Sequence, residues 1–378
     1  MIQKDKRANR IQELWKEWHD ARKNWDTNAR EDIDFYLGNH FSQQEKDDLD
    51  ERNQSSVPID RLYAAIEQFK AIITSKPPKF SAIAREDSDN KKASVWKILL
   101  EYIWDISSGD EVFKQVIHDY AVTGLGYFYA YIDNEDDYGR GEVKFTYIDP
   151  FRVVVDPNSR SKWFDDSSAM ILSTILTKNQ VINLYPELLE VFEDKKRIID
   201  LIENDDNEET YPPSTNTRTV GTFTPDVIKD IDRSEGAQKY RLLEIFEKVK
   251  IPFYRMVNLK TGQEEILDKE RLSQVMSNPQ MQDLFNQGIM DIVEVLQTRI
   301  KITASLGQII LYEKVLDTNV FPIVPVPNIW TNTPYPMSDV RKNKDFQRFL
   351  NKTMSLITSH AQASSGLKLL IPEGSVHD

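Results

Sequence analysis

Cysteine is absent from the 378 residues of this chain, which excludes disulfide bonds, thiolate metal sites and cysteine nucleophiles. Histidine is scarce, and the positions His19, His40, His118, His360 and His377 show neither an HExxH spacing nor the partners of a nucleophilic triad. No run approaches the ~18 consecutive apolar residues that span a bilayer. The first ten residues also lack the apolar core of a signal peptide. We therefore expect neither secretion nor insertion into a membrane.

An excess of basic charge is also missing. Lys plus Arg total 48 against 61 Asp plus Glu, a formal net charge of -13, so the global balance does not favour tight, sequence-independent binding to nucleic acid or to an anionic membrane. Apolar residues are plentiful, since 40% of the chain is hydrophobic and it contains seven Trp and 17 Phe. This composition is well above that of disordered chains, and the length allows two or three domains.

Carboxylates occur in short clusters that could carry catalysis. The clusters are Glu31, Asp32 and Asp34; Asp47, Asp48 and Asp50; Asp133, Glu135, Asp136 and Asp137; and Asp165 and Asp166. A two-metal nuclease needs carboxylates that converge on ions about 3.5–4 Å apart, and adjacency in the sequence does not supply that convergence. No phosphate-binding GK[ST] motif is present either. We predict no catalytic, cofactor-binding or metal-binding residue and no enzyme activity, with a metal-dependent nuclease or other DNA-processing enzyme as the alternative.

The spacing of apolar residues predicts a mixture of helices and strands. Helical spacing covers residues 11–25, 62–73, 95–106, 113–120 and 268–276. Alternating aromatic and β-branched residues predict a hairpin of 127–132 and 143–148 and further strands at 153–155, 170–176 and 240–259. Residues 203–225 are acidic and rich in Pro, Ser and Thr, and we predict that they form a mobile, peripheral loop.

Two longer helices are predicted in the C-terminal part of the chain. Pro279 suits the first turn of one, which is predicted to run to Gln297, and Asp339 suits the N-cap of the other, which is predicted to run to about Gln362. A hairpin of residues 299–304 and 308–315 lies between them. The first helix carries Asp283, Asp291 and Glu294, whereas the second carries Arg341, Lys344, Arg348 and Lys352 opposite an apolar arc of Phe346, Phe349, Leu350, Met354 and Ile357.

The opposite charges of these helices allow two interpretations. In one, the helices form an antiparallel pair whose exposed charges complement each other. In the other, the pair packs against copies of itself in a ring, with one helical face bordering a lumen. We expect antiparallel packing in the inner, ring-closing part of the molecule, because one partner helix cannot bury all of the apolar stripes.

Five short motifs follow one another along residues 28–362. They are Arg30, Asp32, Phe35, Tyr36 and Gly38; the Pro-bearing segment from Lys76 to Phe80; Gly124, Gly126 and Tyr127; Ile148, Asp149, Pro150, Val155, Asp156 and Pro157 with Asp165 and Asp166 downstream; and Val340, Arg341, Gln347, Asn351 and Ser355. In this order they resemble the portal proteins of tailed bacteriophages, particularly those of short-tailed phages.

This resemblance implies an α+β, helix-rich fold with a wing, two long antiparallel stem helices and a small β-containing clip. The wing would occupy residues 1–265, with helices in 1–122, a β-rich part at 127–176, the mobile loop and the strands of 240–259. The first stem helix would lie in 266–298, the clip in 299–335 and the second stem helix in 336–362. Residues 363–378 would start a tunnel loop, and the crown that usually follows in such proteins would be lacking.

The resemblance also implies a function. Such proteins form a ring, commonly of twelve subunits, at one capsid vertex, where it is the conduit for packaging and ejection of double-stranded DNA. The partners would be other copies of the chain, the major capsid protein, the terminase motor, head–tail adaptors and the passing DNA, with no membrane and no cofactor. The location would be the virion, and the host cytoplasm during assembly. Another head–tail adaptor is a further structural alternative.

Site residues follow from the implied stem and clip. Stem residues that would face a neighbouring subunit or the lumen are Lys344, Arg348, Lys352, Gln347, Asn351, Asp283, Asp291 and Glu294. The clip residues expected to dock a partner are Ser305, Leu306, Gly307 and Gln308. For the basic stripe we favour a neighbour's acidic residues over DNA, because a lumen that binds many phosphates would oppose transport.

Overall fold

The computed structural model of the chain describes residues 5–52, 54–84, 86, 89–134, 136–193, 239–259 and 262–365. The predicted mobile loop at 203–225 lies outside these residues, as do residues 366–378 of the predicted start of a tunnel loop at 363–378, whereas residues 363–365 are helical. The described helices and the antiparallel sheets confirm the α+β class. None of the described helices is both long and apolar enough to cross a membrane.

The elements follow the predicted order with few exceptions. The helices are α1 (Lys6–Tyr36), α2 (Gln43–Glu51), α3 (Arg61–Thr74), α4 (Asn90–Ile106), α5 (Gly109–Val122), α6 (Lys178–Leu184), α7 (Leu189–Glu193), α8 (Lys269–Met276), α9 (Pro279–Asn286) and α10 (Asp339–Ser365). The strands are β1 (Leu125–Asp133), β2 (Glu142–Ile148), β3 (Val153–Val155), β4 (Ala169–Thr177), β5 (Lys239–Asn258), β6 (Glu264–Leu267), β7 (Met290–Leu306), β8 (Ile309–Leu316) and β9 (Ile323–Pro327).

The chain divides into two compact units, and the first contains the described residues of 5–21, 152–193 and 239–322. Its antiparallel sheet has the strand order β3-β4-β5-β7-β8, with β6 paired to the outer part of β5. One core cluster joins Val181 of α6, Phe192 of α7 and Leu188, which lies between these helices, to Tyr240 and Leu306 of the sheet. A second cluster joins the start of α1 to β3, β4 and β5. Helices therefore pack against this sheet in two separate hydrophobic cores.

The predicted helix from Pro279 to Gln297 is wrong. Helix α9 ends at Asn286, and residues 290–306 form β7, which pairs with β5 from Asn258↔Met290 to Leu242↔Leu306. Gly288 has a φ of +66° and its N–H bonds the Phe285 carbonyl, so it stops the helix in a left-handed conformation. The next residues alternate and are β-branched, which suits a strand. The antiparallel pair of stem helices is therefore also wrong, because residues 281–296 and 341–357 lie in different units.

The second unit contains the described residues of 22–151 and 323–365. Its sheet has the order β2-β1-β9, and its core packs α1, α3, α5 and α10 together around Phe35, Leu62, Ile66 and Val340. Gly124 connects α5 to β1 with a φ of +90°, and a Cβ there would lie 2.7 Å from the carbonyl carbon of Met337. This close approach places the start of α10 beside the turn.

Candidate functional site

Helix α10 buries its polar residues and exposes its apolar ones. The buried stripe consists of Val340, Lys344, Gln347, Asn351 and Ser355. On the opposite side, Phe346 is 74% exposed, Phe349 66%, Leu356 49% and Ile357 54%. The sequence predicted that the apolar and basic residues occupy different arcs, but in the structure the polar arc faces the rest of its unit. An amphipathic helix in a self-sufficient domain is oriented the other way.

Gln347 binds the backbone at the start of α3. Its Oε1 accepts hydrogen bonds from the N–H groups of Arg61 at 3.2 Å and Leu62 at 3.0 Å, and its Nε2 donates to the Ile59 carbonyl at 2.7 Å. The first N–H groups of a helix have no partner within that helix. Gln347 therefore supplies an acceptor to α3 from about 290 residues away along the chain.

Asn351 extends the same network to His40. Its Oδ1 accepts from Gln347 at 2.9 Å, and its Nδ2 donates to His40 Nδ1 at 2.9 Å. His40 Nε2 donates to the Phe35 carbonyl at 3.0 Å, and its ring stacks on the Phe35 ring. Burial lowers the pKa of His40, although Asp60 opposes this shift. The neutral imidazole, with one donor and one acceptor, therefore suits the site.

A cluster of ion pairs joins the C-terminal half of α1 to the start of α10. Ser338 Oγ, which caps α10 by accepting from the Arg341 N–H at 2.8 Å, donates to Asp32 at 2.8 Å. Arg341 also pairs with Asp32, and Lys344 contacts Glu31. Burial raises the pKa of Asp32 and lowers that of Lys344. The predicted N-cap at Asp339 is thus wrong by one residue.

The three predicted stem cations differ in their surroundings. The Lys344 side chain is only 3% exposed and contacts Glu31 within the chain. Arg348 donates to Glu31 at 3.0 Å and lies over the Phe35 ring, yet its side chain is 48% exposed. Lys352 is exposed. A neighbour can therefore reach Lys352 and part of Arg348, and the predicted roles of these residues stay predictions.

The remaining predicted site residues lie in the other unit. Asp283 on α9 and Asp291 and Glu294 on β7 are all exposed. At the end of β7, Ser305 and Leu306 are buried, and Leu306 belongs to a core cluster. Gly307 and Gln308 are partly exposed. A docking partner could therefore touch Gly307 and Gln308, whereas Leu306 serves packing.

The carboxylate clusters have local partners. Asp133 and Asp136 pair with Lys144, and Asp166 accepts from Ser159 Oγ and from the N–H groups of Arg160 and Ser161. Helix α2, which carries the cluster at residues 47–50, has no buried residue. Within the described parts of the chain, no group of three or more Asp, Glu or His side chains could hold a metal ion.

A second exposed apolar surface lies on α4, none of whose residues is buried. Val95 is 63% exposed, Ile98 65%, Leu99 38% and Tyr102 47%. The opposite side is attached to its unit, where Trp104 contacts Phe145. The sequence predicted the helix from these apolar residues but not their exposure. Lys91 next to this stripe is the sequence signal that could have indicated a surface.

Large exposed apolar faces on two helices are typical of a protein that functions within a larger assembly. A model of the phage P22-like portal protein family matches residues 12–378. The chain therefore belongs to this family, which is structural rather than enzymatic. A search of curated proteins gave no match. The resemblance is thus confirmed, and the structure brings its first and last motifs together through Asp32 and Arg341.

Proposed function

We propose that this chain is the subunit of a portal ring at one capsid vertex, the conduit for double-stranded DNA during packaging and ejection. The ring would comprise about twelve subunits and would be the docking site for terminase and head–tail adaptors. Portal proteins as a family form homo-oligomeric rings associated with the capsid. The number of subunits and the individual partners belong to this proposal.

The inverted amphipathic helix α10 is the observation that carries the proposal. Gln347 and Asn351 form hydrogen bonds and Lys344 forms an ion pair within the unit, so the orientation of the helix is fixed. The exposed Phe346 and Phe349 side chains then face solvent in the isolated chain. Covering such a face stabilises an assembly by about 25 cal/mol per Å² of apolar area. Association with further subunits supplies that cover.

The charge of the chain suits a conduit. With a formal net charge of -13 per chain, a ring would repel DNA phosphates over most of its surface. Binding through many phosphate contacts would release counterions and hold the duplex in place. A predominantly acidic ring therefore allows DNA to slide.

Native mass measurement of the purified full chain tests the proposal. We expect a closed ring whose mass is about twelve times 44.0 kDa, and we expect Phe349→Asp to shift the population to folded monomers. Leu184→Asp is the matched control, because Leu184 is 59% exposed on α6 and lies outside the proposed contact. Circular dichroism of each variant reports whether it is folded.

Two outcomes would contradict the proposal. One is a wild-type chain that stays monomeric at all concentrations tested. The other is a monomer that cleaves DNA only when Mg²⁺ is added, which would support the metal-dependent nuclease instead.

A further inference from the structure

The exposed apolar residues of α4 and of α10 each lie along one side of their helix. On α4, Val95, Ile98, Leu99 and Tyr102 follow the pattern i, i+3, i+4, i+7. On α10, Phe346, Phe349, Leu356 and Ile357 lie at i, i+3, i+10 and i+11. Residues at these intervals form a narrow seam along one side of a helix, and two such seams interdigitate as knobs and holes. We call these surfaces the α4 seam and the α10 seam.

The α10 seam continues into a groove. This groove of about 390 Å³ lies between α3 and α10 and is lined by Leu62, Ala65, Ile66, Phe69 and Phe346, together with the polar residues Arg61, Asp339, Asn343 and Gln347. Its apolar walls and its position beside the seam suit a side chain projecting from a packed helix. The α10 side therefore offers a concave surface, and the α4 seam offers a convex one.

The charges of the two seams are complementary at one end. Asp105 follows the α4 seam, and the exposed Lys352 lies near the middle of α10. If the two helices run parallel, Asp105 of one subunit can face Lys352 of the next. At the other end, Lys91 and Lys92 precede the α4 seam, whereas the start of α10 carries the exposed Lys342 as well as Asp339 and Asp345, so no net attraction is expected there.

We infer that the α4 seam of one subunit packs on the α10 seam of the next subunit, in a head-to-tail contact. This inference rests on the proposed ring. A closed ring requires two different, complementary surfaces on each subunit, and the two seams belong to the same unit of the fold. When each subunit uses one seam towards each neighbour, both apolar faces are covered around the whole ring.

Disulfide cross-linking tests this contact without background, because the chain has no cysteine of its own. Leu99→Cys is combined in turn with Phe349→Cys, Thr353→Cys and Leu356→Cys, so that one of the pairs falls within the ~3.5–4.5 Å between Cβ atoms that a disulfide needs. After oxidation we expect at least one double variant to give a ladder of covalent oligomers up to the size of the ring. Leu184→Cys with Phe349→Cys is the control and should give no ladder.

Mixtures of single variants establish the direction of the contact. Leu99→Cys mixed with the matching α10 variant should give covalent dimers only, and each single variant alone should give none. Covalent dimers from an α10 single variant alone would show that α10 packs on α10 and would overturn the inference. Intact rings by native mass without a ladder from any pair would overturn the inference and leave the proposed function standing. A monomeric wild-type chain would contradict both.

Discussion

His40 is the residue whose protonation should weaken the buried polar network. Burial lowers its pKa in the folded protein, and its Nδ1 accepts a hydrogen bond from Asn351. The neutral form is therefore favoured by folding. The stabilisation is fully present above the ordinary histidine pKa of about 6.5 and is lost as the pH falls below it. We expect urea unfolding at pH 5.5 to show a lower free energy of unfolding than at pH 8.

The His40→Gln variant separates the contribution of His40 to the pH dependence of stability from the contributions of other groups. Burial also lowers the pKa of His118, which lies beside Lys70, so some dependence on pH should remain in the variant. At pH 8 the variant should lose about 1 kcal/mol, the usual contribution of a hydrogen bond. A variant with the same pH dependence as the wild type would contradict the role assigned to His40.

Asp32 is the buried carboxylate on which the ion-pair cluster depends. Its removal takes a hydrogen-bond acceptor from Ser338 Oγ and from Arg341, which keeps its pairing with Glu31. We expect Asp32→Ala to lower the free energy of unfolding by roughly 1–3 kcal/mol, the cost of leaving buried polar groups without their partner. Thermal or urea unfolding measures this loss. Asp48→Ala on exposed α2 is the control, and a loss equal to that of the control would disprove the role.

At the scale of elements, α3 depends on a side chain of α10. Gln347→Ala removes the acceptor of two N–H groups in the first turn of α3, and we expect it to cost roughly 1–2 kcal/mol in unfolding free energy, as loss of an N-cap does. Gln347→Glu should not recover this loss, because its second carboxylate oxygen would take the place of Nε2 against two acceptors, the Ile59 carbonyl and Asn351 Oδ1. Hydrogen exchange of the Arg61 and Leu62 amides should accelerate in Gln347→Ala.

Gln362→Ala provides the matched control for this element. Gln362 lies on the same helix and is exposed, so its substitution tests only the helix propensity of α10. Slow exchange at Arg61 and Leu62 in Gln347→Ala would contradict the capping role.

Local periodicity predicted most elements correctly, and its failures have physical causes. Helix α1 and the hairpin β1–β2 follow from spacing. Residues 290–297 satisfy helical and strand patterns alike, and the pairing with β5 decides between them. Helix α2 was missed, although Ser42 and Glu45 form a capping box that marks its start.

At the scale of the whole molecule, the candidate site was predictable only in part. The opposite arcs of α10 can be found from the spacing of its residues. Which arc is buried depends on partners far along the chain, such as Asp32, which lies 306 positions before Ser338. Nothing local identifies such partners. The order of the five motifs nevertheless indicates the family, because a family can be recognised from its motifs without knowing which residues are in contact.

Lys352 can distinguish the two candidate subunit contacts. It is exposed and would face Asp105 of a neighbour if α4 packs on α10, or Asp283, Asp291 or Glu294 if the sequence-based prediction of stem contacts holds. We expect Lys352→Glu to weaken ring assembly about two- to five-fold, which corresponds to an exposed ion pair of roughly 0.5–1 kcal/mol. The effect should shrink as salt shortens the Debye length below ~8 Å.

A second charge reversal, at the acidic residue, identifies the acid that Lys352 contacts. Asp105→Lys combined with Lys352→Glu should restore ring assembly in part, measured by native mass at several protein concentrations, whereas Asp291→Lys combined with Lys352→Glu should not. If Asp291→Lys combined with Lys352→Glu restored assembly and the Asp105→Lys combination did not, this would favour the sequence-based contact and reject the contact between α4 and α10. If neither reversal restores assembly, Lys352 contacts neither acid. Because each ring contains many copies of the contact, even a small change per contact should be visible in the assembled fraction.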